Sequence, residues 1–198
     1  MTEETTDARL RSDARRNRRT VLDAAVALLA QRPQATMQEI ADASGLGRTT
    51  VYRHFPRRQD LIDALFAEVI RESTNTIAEA VRTAGSAHEL LCALGPRFIA
   101  IGDRYRFVDA HPELRVQALR PIDEISNPLE AYLTKAQERA ELRDDLPVAW
   151  IITTLRGLGV VAMVEVNAGR MTVEEAGRYV GETCASAFAP PAPEHASG

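Results

Sequence analysis

Thr36-Met37-Gln38-Glu39-Ile40-Ala41-Asp42-Ala43-Ser44-Gly45-Leu46-Gly47-Arg48-Thr49-Thr50-Val51-Tyr52-Arg53-His54-Phe55-Pro56 decides how the rest of this chain is read. Thr36 and Glu39 have the spacing of a capping box, in which each side chain satisfies the other residue's backbone N–H. The helix they open should turn Met37, Ile40 and Ala41 inward and stop at Gly45, a residue suited to a left-handed C-cap. A third helix follows over Arg48 to Phe55, and Pro56 closes it because its ring disfavours helical geometry in the preceding residue. Two short helices joined by a tight turn have the shape of a helix-turn-helix. Val51 and Phe55 can anchor the last helix against Met37, Ile40 and Leu29, leaving Arg48, Thr49, Thr50, Tyr52, Arg53 and His54 around its outer side. Such a side can enter a duplex major groove about 12 Å wide. There Arg48 and Arg53 offer forked donors for guanine or phosphate. The hydroxyls and the imidazole suit phosphate oxygens or base edges.

Charge is distributed to match. The 198-residue chain carries a formal charge of −4. Between Arg9 and Arg58, however, eleven arginines face four acids (Asp13, Asp23, Glu39 and Asp42), a local charge of +7. From Gln59 onward the balance is −8. A basic head on an acidic body suggests that only the head meets a polyanion, although charge alone is equally compatible with a solvated arginine-rich helix face.

Outward from the motif the periodicity is helical throughout, and no stretch alternates as a strand. A first helix is expected over about Ser12 to Gln31, with Leu22, Ala25, Val26 and Leu29 as its apolar stripe, ended by Pro33. A long helix should begin at Arg58 and fade near Arg82 to Ser86. Ala87 to Ile101 should follow with a kink at Gly95-Pro96, then a short helix over Phe107 to Ala110 and another over Asn127 to Leu142. Val148 to Ala168 and a helix opened by the capping box Thr172–Glu175 and running to about Phe188 complete the set. The expected fold class is all-α. Residues 1–10 are assigned to a flexible arm, 11–57 to the helix-turn-helix domain, 58–189 to a ligand-binding and dimerisation domain, and 190–198 to a disordered tail.

The run Gly45-Leu46-Gly47-Arg48-Thr49-Thr50-Val51-Tyr52-Arg53-His54-Phe55, followed by Arg58 and Leu61, resembles the reading head of the tetracycline-repressor (TetR-type) family. Val21-Leu22-Asp23-Ala24-Ala25 and Thr36 through Ala41 are similar to that family's first two helices; the specific likeness covers about fifty residues. The resemblance implies a DNA-binding head on a helical body that dimerises and binds a small-molecule effector, most simply as a repressor released from operator DNA. It places Thr36 against the DNA backbone, makes Arg48, Thr49 and Arg53 base readers, and gives Tyr52, His54 and Arg58 to phosphates. Gly47 departs from the small hydroxyl residue usual before the recognition helix, and Gln59 from an acid usual after the basic residue.

The body is less explicit. Ligand pockets are mostly apolar with a few polar groups, and Phe98, Tyr105, Phe107, His111, Tyr132, Trp150, Thr154 and Met163 are candidate lining residues, each with ordinary core packing as its alternative. The last two helices offer candidate homodimer stripes, Ile151, Leu155, Leu158 and Ala162 on one and Ala176, Val180, Cys184 and Ala187 on the other. A dimer is favoured because one recognition helix makes few base contacts, whereas a two-fold mate reads a second half-site. An enzyme is disfavoured: no nucleophile elbow, P-loop, dinucleotide fingerprint or zinc motif is present. No cofactor is expected, and no metal, since the four histidines and two cysteines lack ligand spacing. Arg156 and Glu165 interrupt the longest apolar stretch and argue against a membrane span, and a cytoplasmic location is expected. A DNA-binding architectural or adaptor protein without an effector remains the alternative.

Overall fold

The first helix runs further than its apolar stripe requires. In the computed structural model, which describes residues 3–110, 114, 116 and 123–191, α1 spans Glu3–Gln31. It thus begins well before the expected Ser12 and takes in most of the expected arm. Neither proline nor glycine occurs before Pro33, so nothing local stops helix propagation toward the N-terminus. The other helices are α2 (Met37–Ser44), α3 (Arg48–His54), α4 (Arg58–Thr83), α5 (Ala87–Arg104), α6 (Asp123–Glu138), α7 (Val148–Asn167) and α8 (Val173–Ala187). A 3₁₀ turn covers Arg106–Ala110. The described residues contain no strand. Those expected to form a disordered tail lie almost wholly outside the described residues.

The chain divides into two units. The first comprises Met1–Val69 and Arg104–Leu114. Its core joins Val21, Leu22, Ala25 and Leu29 of α1 with Ile40 of α2, Val51 and Phe55 of the α3 segment, and Leu61 and Leu65 of α4. Val21 takes the buried place expected of Val26, which is only half-buried. Tyr105 and Phe107 are buried in the same unit, edge to face at 6.3 Å between ring centroids.

The second unit, Ile70–Asp103 and Arg115–Gly198, packs α7 and α8 against the remainder of α4, α5 and α6. Helix α5 continues through Pro96. Proline lacks the N–H that would pair with the carbonyl of Cys92 one turn earlier. A Cβ on Gly181 would lie 2.6 Å from that carbonyl oxygen. The hydrogen that glycine carries there therefore points at the orphaned acceptor, a weak Cα–H···O contact. Gly95 and Gly177 complete this close crossing: a Cβ on Gly177 would meet Cα of Pro96 at 2.6 Å.

Helix α6 ends at Glu138, short of the expected Leu142. Arg139 to Glu141 are acceptable helix formers, so the stop is tertiary: Ala140 adopts φ 54°, and the Gln137 amide donates to the carbonyls of Arg143 (2.7 Å) and Leu146 (2.8 Å). The capping box of α8 forms as expected, with Thr172 and Glu175 exchanging bonds of 2.9 and 3.1 Å.

The expected dimer stripes pack largely within the protomer. Ile151, Leu155, Ala162, Ala176, Val180 and Cys184 are buried within the second unit, Leu158 is half-buried, and of the eight only Ala187 is exposed. Helix α7 is apolar on both sides, so periodicity alone could not say which side turns inward. The outer side leaves Trp150 54%, Val161 60% and Val164 45% exposed. Helix α7 also has an 18-residue window of mean hydropathy 1.5, long and apolar enough to cross a membrane by length and composition. Its apolar character has a local account, since one side feeds the core of the unit and the other forms this patch.

Candidate nucleic-acid interface

Three devices hold the α2–α3 unit in shape. Thr36 and Glu39 form the capping box: the Thr36 N–H donates to the Glu39 carboxylate at 2.7 Å, and the Glu39 N–H donates to the Thr36 hydroxyl at 3.2 Å. Arg32 donates to the other carboxylate oxygen at 2.7 Å. The Thr36 backbone N–H, then its hydroxyl, then Arg32 hold this carboxyl below the usual range. At the turn, Gly45 adopts φ 67°, a left-handed conformation that costs glycine little. Ser44, absent from the expected site, ties that turn by donating to the Ala41 carbonyl at 2.8 Å and accepting from the Leu46 N–H at 3.2 Å. Gly47 stands at the N-cap of α3 without a side-chain bond, as its missing hydroxyl implies.

With Val51 and Phe55 buried beneath it, α3 presents Arg48, Thr49, Tyr52 and Arg53 to solvent, while Thr50 and His54 are half-buried. Among the described residues, the side chains of Arg48, Thr49, Tyr52 and Arg53 make no hydrogen bond or ion pair. Helix α3 therefore presents two uncommitted guanidiniums and two hydroxyls on one short, rigid element. His54 is tucked against Phe55 with its Nε2 shielded and unpartnered. Burial, then the charges of Arg53 and Arg18, push its pKa below the ordinary histidine value, so the ring is neutral at pH 7.

The basic residues after α3 are committed to architecture. Arg58, expected at a phosphate, donates to the carbonyls of Ala35 and of Pro33 (2.8 Å for the latter) and clamps the α1–α2 loop onto the start of α4. A guanidinium has five N–H donors, so this employs only part of its capacity. Arg57 is matched by Asp60, which accepts from its backbone N–H at 2.9 Å and its guanidinium at 2.6 Å. Asp60 thus performs the helix-start role for which Gln59 has no charge.

The candidate ligand residues are divided between the two units. Tyr105 and Phe107 belong to the first unit, whereas Phe98, Tyr132, Trp150, Thr154 and Met163 belong to the second. Met163 is buried against Gly102, Tyr132 lies under Arg139, and Trp150 is exposed. His111 lies outside the described residues. No group of three or more His, Cys, Asp or Glu able to hold a metal occurs among the described residues.

The family model for bacterial regulatory proteins of the tetR family matches residues 21–65, from the buried half of α1 to the first turns of α4. The head of the chain, over those residues, matches the tetR family. Among relatives in sequence, the transcriptional repressor LfrR of Mycolicibacterium smegmatis is 37% identical over 110 residues, 55% of this chain and 58% of LfrR. The alignment thus spans little more than half of that curated relative. The crystal structure of LfrR from Mycobacterium smegmatis in complex with proflavine superposes with a TM-score of 0.64 at 25% identity, covering 89% of this chain and 99% of that one. The fatty acid metabolism regulator protein of Bacillus subtilis is 24% identical over 139 residues, 65% of this chain and 72% of its own length. The TetR-type head is thus matched in sequence, and the likeness in fold extends through the body.

Proposed function

We propose that this chain is a homodimeric TetR-type transcriptional repressor that holds double-stranded operator DNA through α3 and releases it when a small molecule binds the body. The observation that carries the reading is the outer side of α3, where Arg48, Thr49, Tyr52 and Arg53 are exposed and uncommitted on an element fixed by Val51 and Phe55. Forked guanidinium donors on a helix of this size suit base edges in the major groove, and hydroxyls suit the flanking phosphates. Arg58 acts here as a positioning residue for α3 and α4. LfrR, a repressor crystallised with proflavine, supports effector-released repression as the mode of action.

The mate is a second copy of the chain, joined through the outer side of α7 with α8: Trp150, Val161 and Val164, with Tyr179 on α8. A shallow groove of about 170 Å³ beside them is floored by Leu158, Ala162 and Val180. Helix α4 starts at the Arg58 clamp and contributes its C-terminal half to the second unit, so it is one of the covalent elements through which the body can act on the head. Coupling of this kind is typically about 1–3 kcal/mol. Such a protein works in the cytoplasm, without a metal or organic cofactor, and the effector is bound rather than turned over.

Selection of duplexes from random sequence by the purified protein tests the reading. Recovery of a two-fold-symmetric site, bound with a dimer's stoichiometry and dislodged by some members of a metabolite and drug panel, is the expected result. No enrichment would overturn DNA binding; enrichment with no dislodging compound would favour constitutive binding.

A further inference from the structure

Residues 11, 15, 18, 22, 25 and 29 of α1 share one side of the helix, because their spacings alternate between four and three. The C-terminal half of this stripe is Leu22, Ala25 and Leu29, all buried in the first unit. Its N-terminal half is Arg11, Arg15 and Arg18, all exposed. An apolar stripe that becomes basic along the same line marks where the protein core ends and a different neighbour begins.

Two observations say where that line emerges. The Arg18 guanidinium lies over the Phe55 ring, 5.4 Å from its centroid, at the C-cap of α3. Its charge also contributes to the lowered pKa of His54. The line therefore leaves the core beside the end of the recognition helix, and Arg15 and Arg11 follow at steps of about 5 and 6 Å along α1 at 1.5 Å per residue.

Charge accounting separates these arginines from their neighbours. Arg19 is paired with Asp23 at 3.1 Å and Glu68 at 3.5 Å, and Arg16 faces Asp13 at 3.8 Å. Arg15 and Arg18 have no carboxylate partner among the described residues. They are the members of the row whose charge no described carboxylate matches.

We infer that the arginine row of α1, through Arg15 and Arg18, is a second phosphate-binding element that extends the duplex contact beyond the recognition helix. It rests on the reading of α3 as a duplex reader and adds contacts without sequence information. Phosphate contacts raise affinity on any sequence and steepen its salt dependence.

The test is fluorescence anisotropy of the full-length protein with a duplex it has selected and with a scrambled duplex, over a series of salt concentrations. Arg15→Gln should weaken binding to both duplexes by a similar factor, about three- to tenfold at low salt, and reduce the log–log salt slope by about 0.9. Arg15→Lys should restore both quantities, and circular dichroism should be unchanged, because Arg15 is exposed on a continuous helix. Arg15→Gln/Arg18→Gln should lower the slope by roughly twice as much. An Arg15→Gln slope equal to that of the unmodified protein would overturn the inference while leaving α3 as the reader. Loss confined to the selected duplex would also overturn it, since that marks base reading. Failure of the unmodified protein to bind any duplex would remove both this inference and the reading beneath it.

Discussion

Arg48 and Arg58 show how one residue type serves two purposes within eleven positions. Arg48 is exposed and uncommitted, whereas Arg58 donates to two carbonyls of a loop more than twenty residues away. Arg48→Ala should leave thermal stability within about 0.5 kcal/mol, as expected of an exposed site. It should still weaken binding to a selected duplex by roughly tenfold or more. Arg58→Ala should instead lower stability by about 1–3 kcal/mol, since a charge-assisted pair is lost and carbonyls are left without their donors. Denaturant unfolding beside anisotropy separates the two; equal stabilities would remove the clamp role. His54 adds a pH dependence whose sign follows from its lowered pKa. Below the unfolded value the unfolded chain takes up a proton that the folded chain resists. The stability present above about pH 6.5 therefore declines as pH falls toward the folded value. His54→Asn should flatten the unfolding midpoint between pH 7 and 5, and an unchanged slope would place the titration elsewhere.

At the scale of elements, legibility followed the reach of the cause. Both capping boxes and the Gly45 turn were visible in sequence because they are closed within four residues by side-chain chemistry that only a few residue types supply. The α6 stop at Ala140 was invisible because it is imposed by Gln137 reaching across a loop to Arg143 and Leu146. The kink expected at Gly95-Pro96 has a different lesson. Proline marks a missing donor in any sequence, but here the gap at Cys92 faces Gly181 of another helix, and α5 is not interrupted. Glycines 95, 177 and 181 permit that crossing because a Cβ would collide with backbone rather than with a movable side chain. Gly177→Ala should therefore destabilise the second unit by about 1–3 kcal/mol or more through overpacking, despite alanine's better helix propensity. A neutral or stabilising effect in chemical denaturation would show that the helices separate at little cost.

For the whole molecule, the head was legible and the outward side of α7 was not. The head announces itself through residue types that a core cannot use: arginines and hydroxyls interleaved with two buried anchors, Val51 and Phe55. Helix α7 offers no such contrast, because Leu, Ile and Val line both its sides, and the stripe chosen from spacing proved to be the inward one. Ligand candidates are harder to single out for a related reason: an aromatic side chain lines a cavity or fills a core by the same chemistry, and Tyr105 and Phe107 are buried in the head unit. The two sides of α7 can be told apart in solution. Val161→Arg places a charge on the outer side, where the 60% exposed valine has little to lose within its own protomer. It should shift the protein from dimer to folded monomer in sedimentation velocity, with protomer helicity retained. Affinity for a selected two-fold site should fall steeply, because each head then binds alone. Leu155→Ala empties a fully packed inward position and should cost about 2–5 kcal/mol of protomer stability. Were Val161→Arg to remain dimeric, the mate would have to engage some other surface, and the outer side of α7 would need a different occupant to explain its apolar patch.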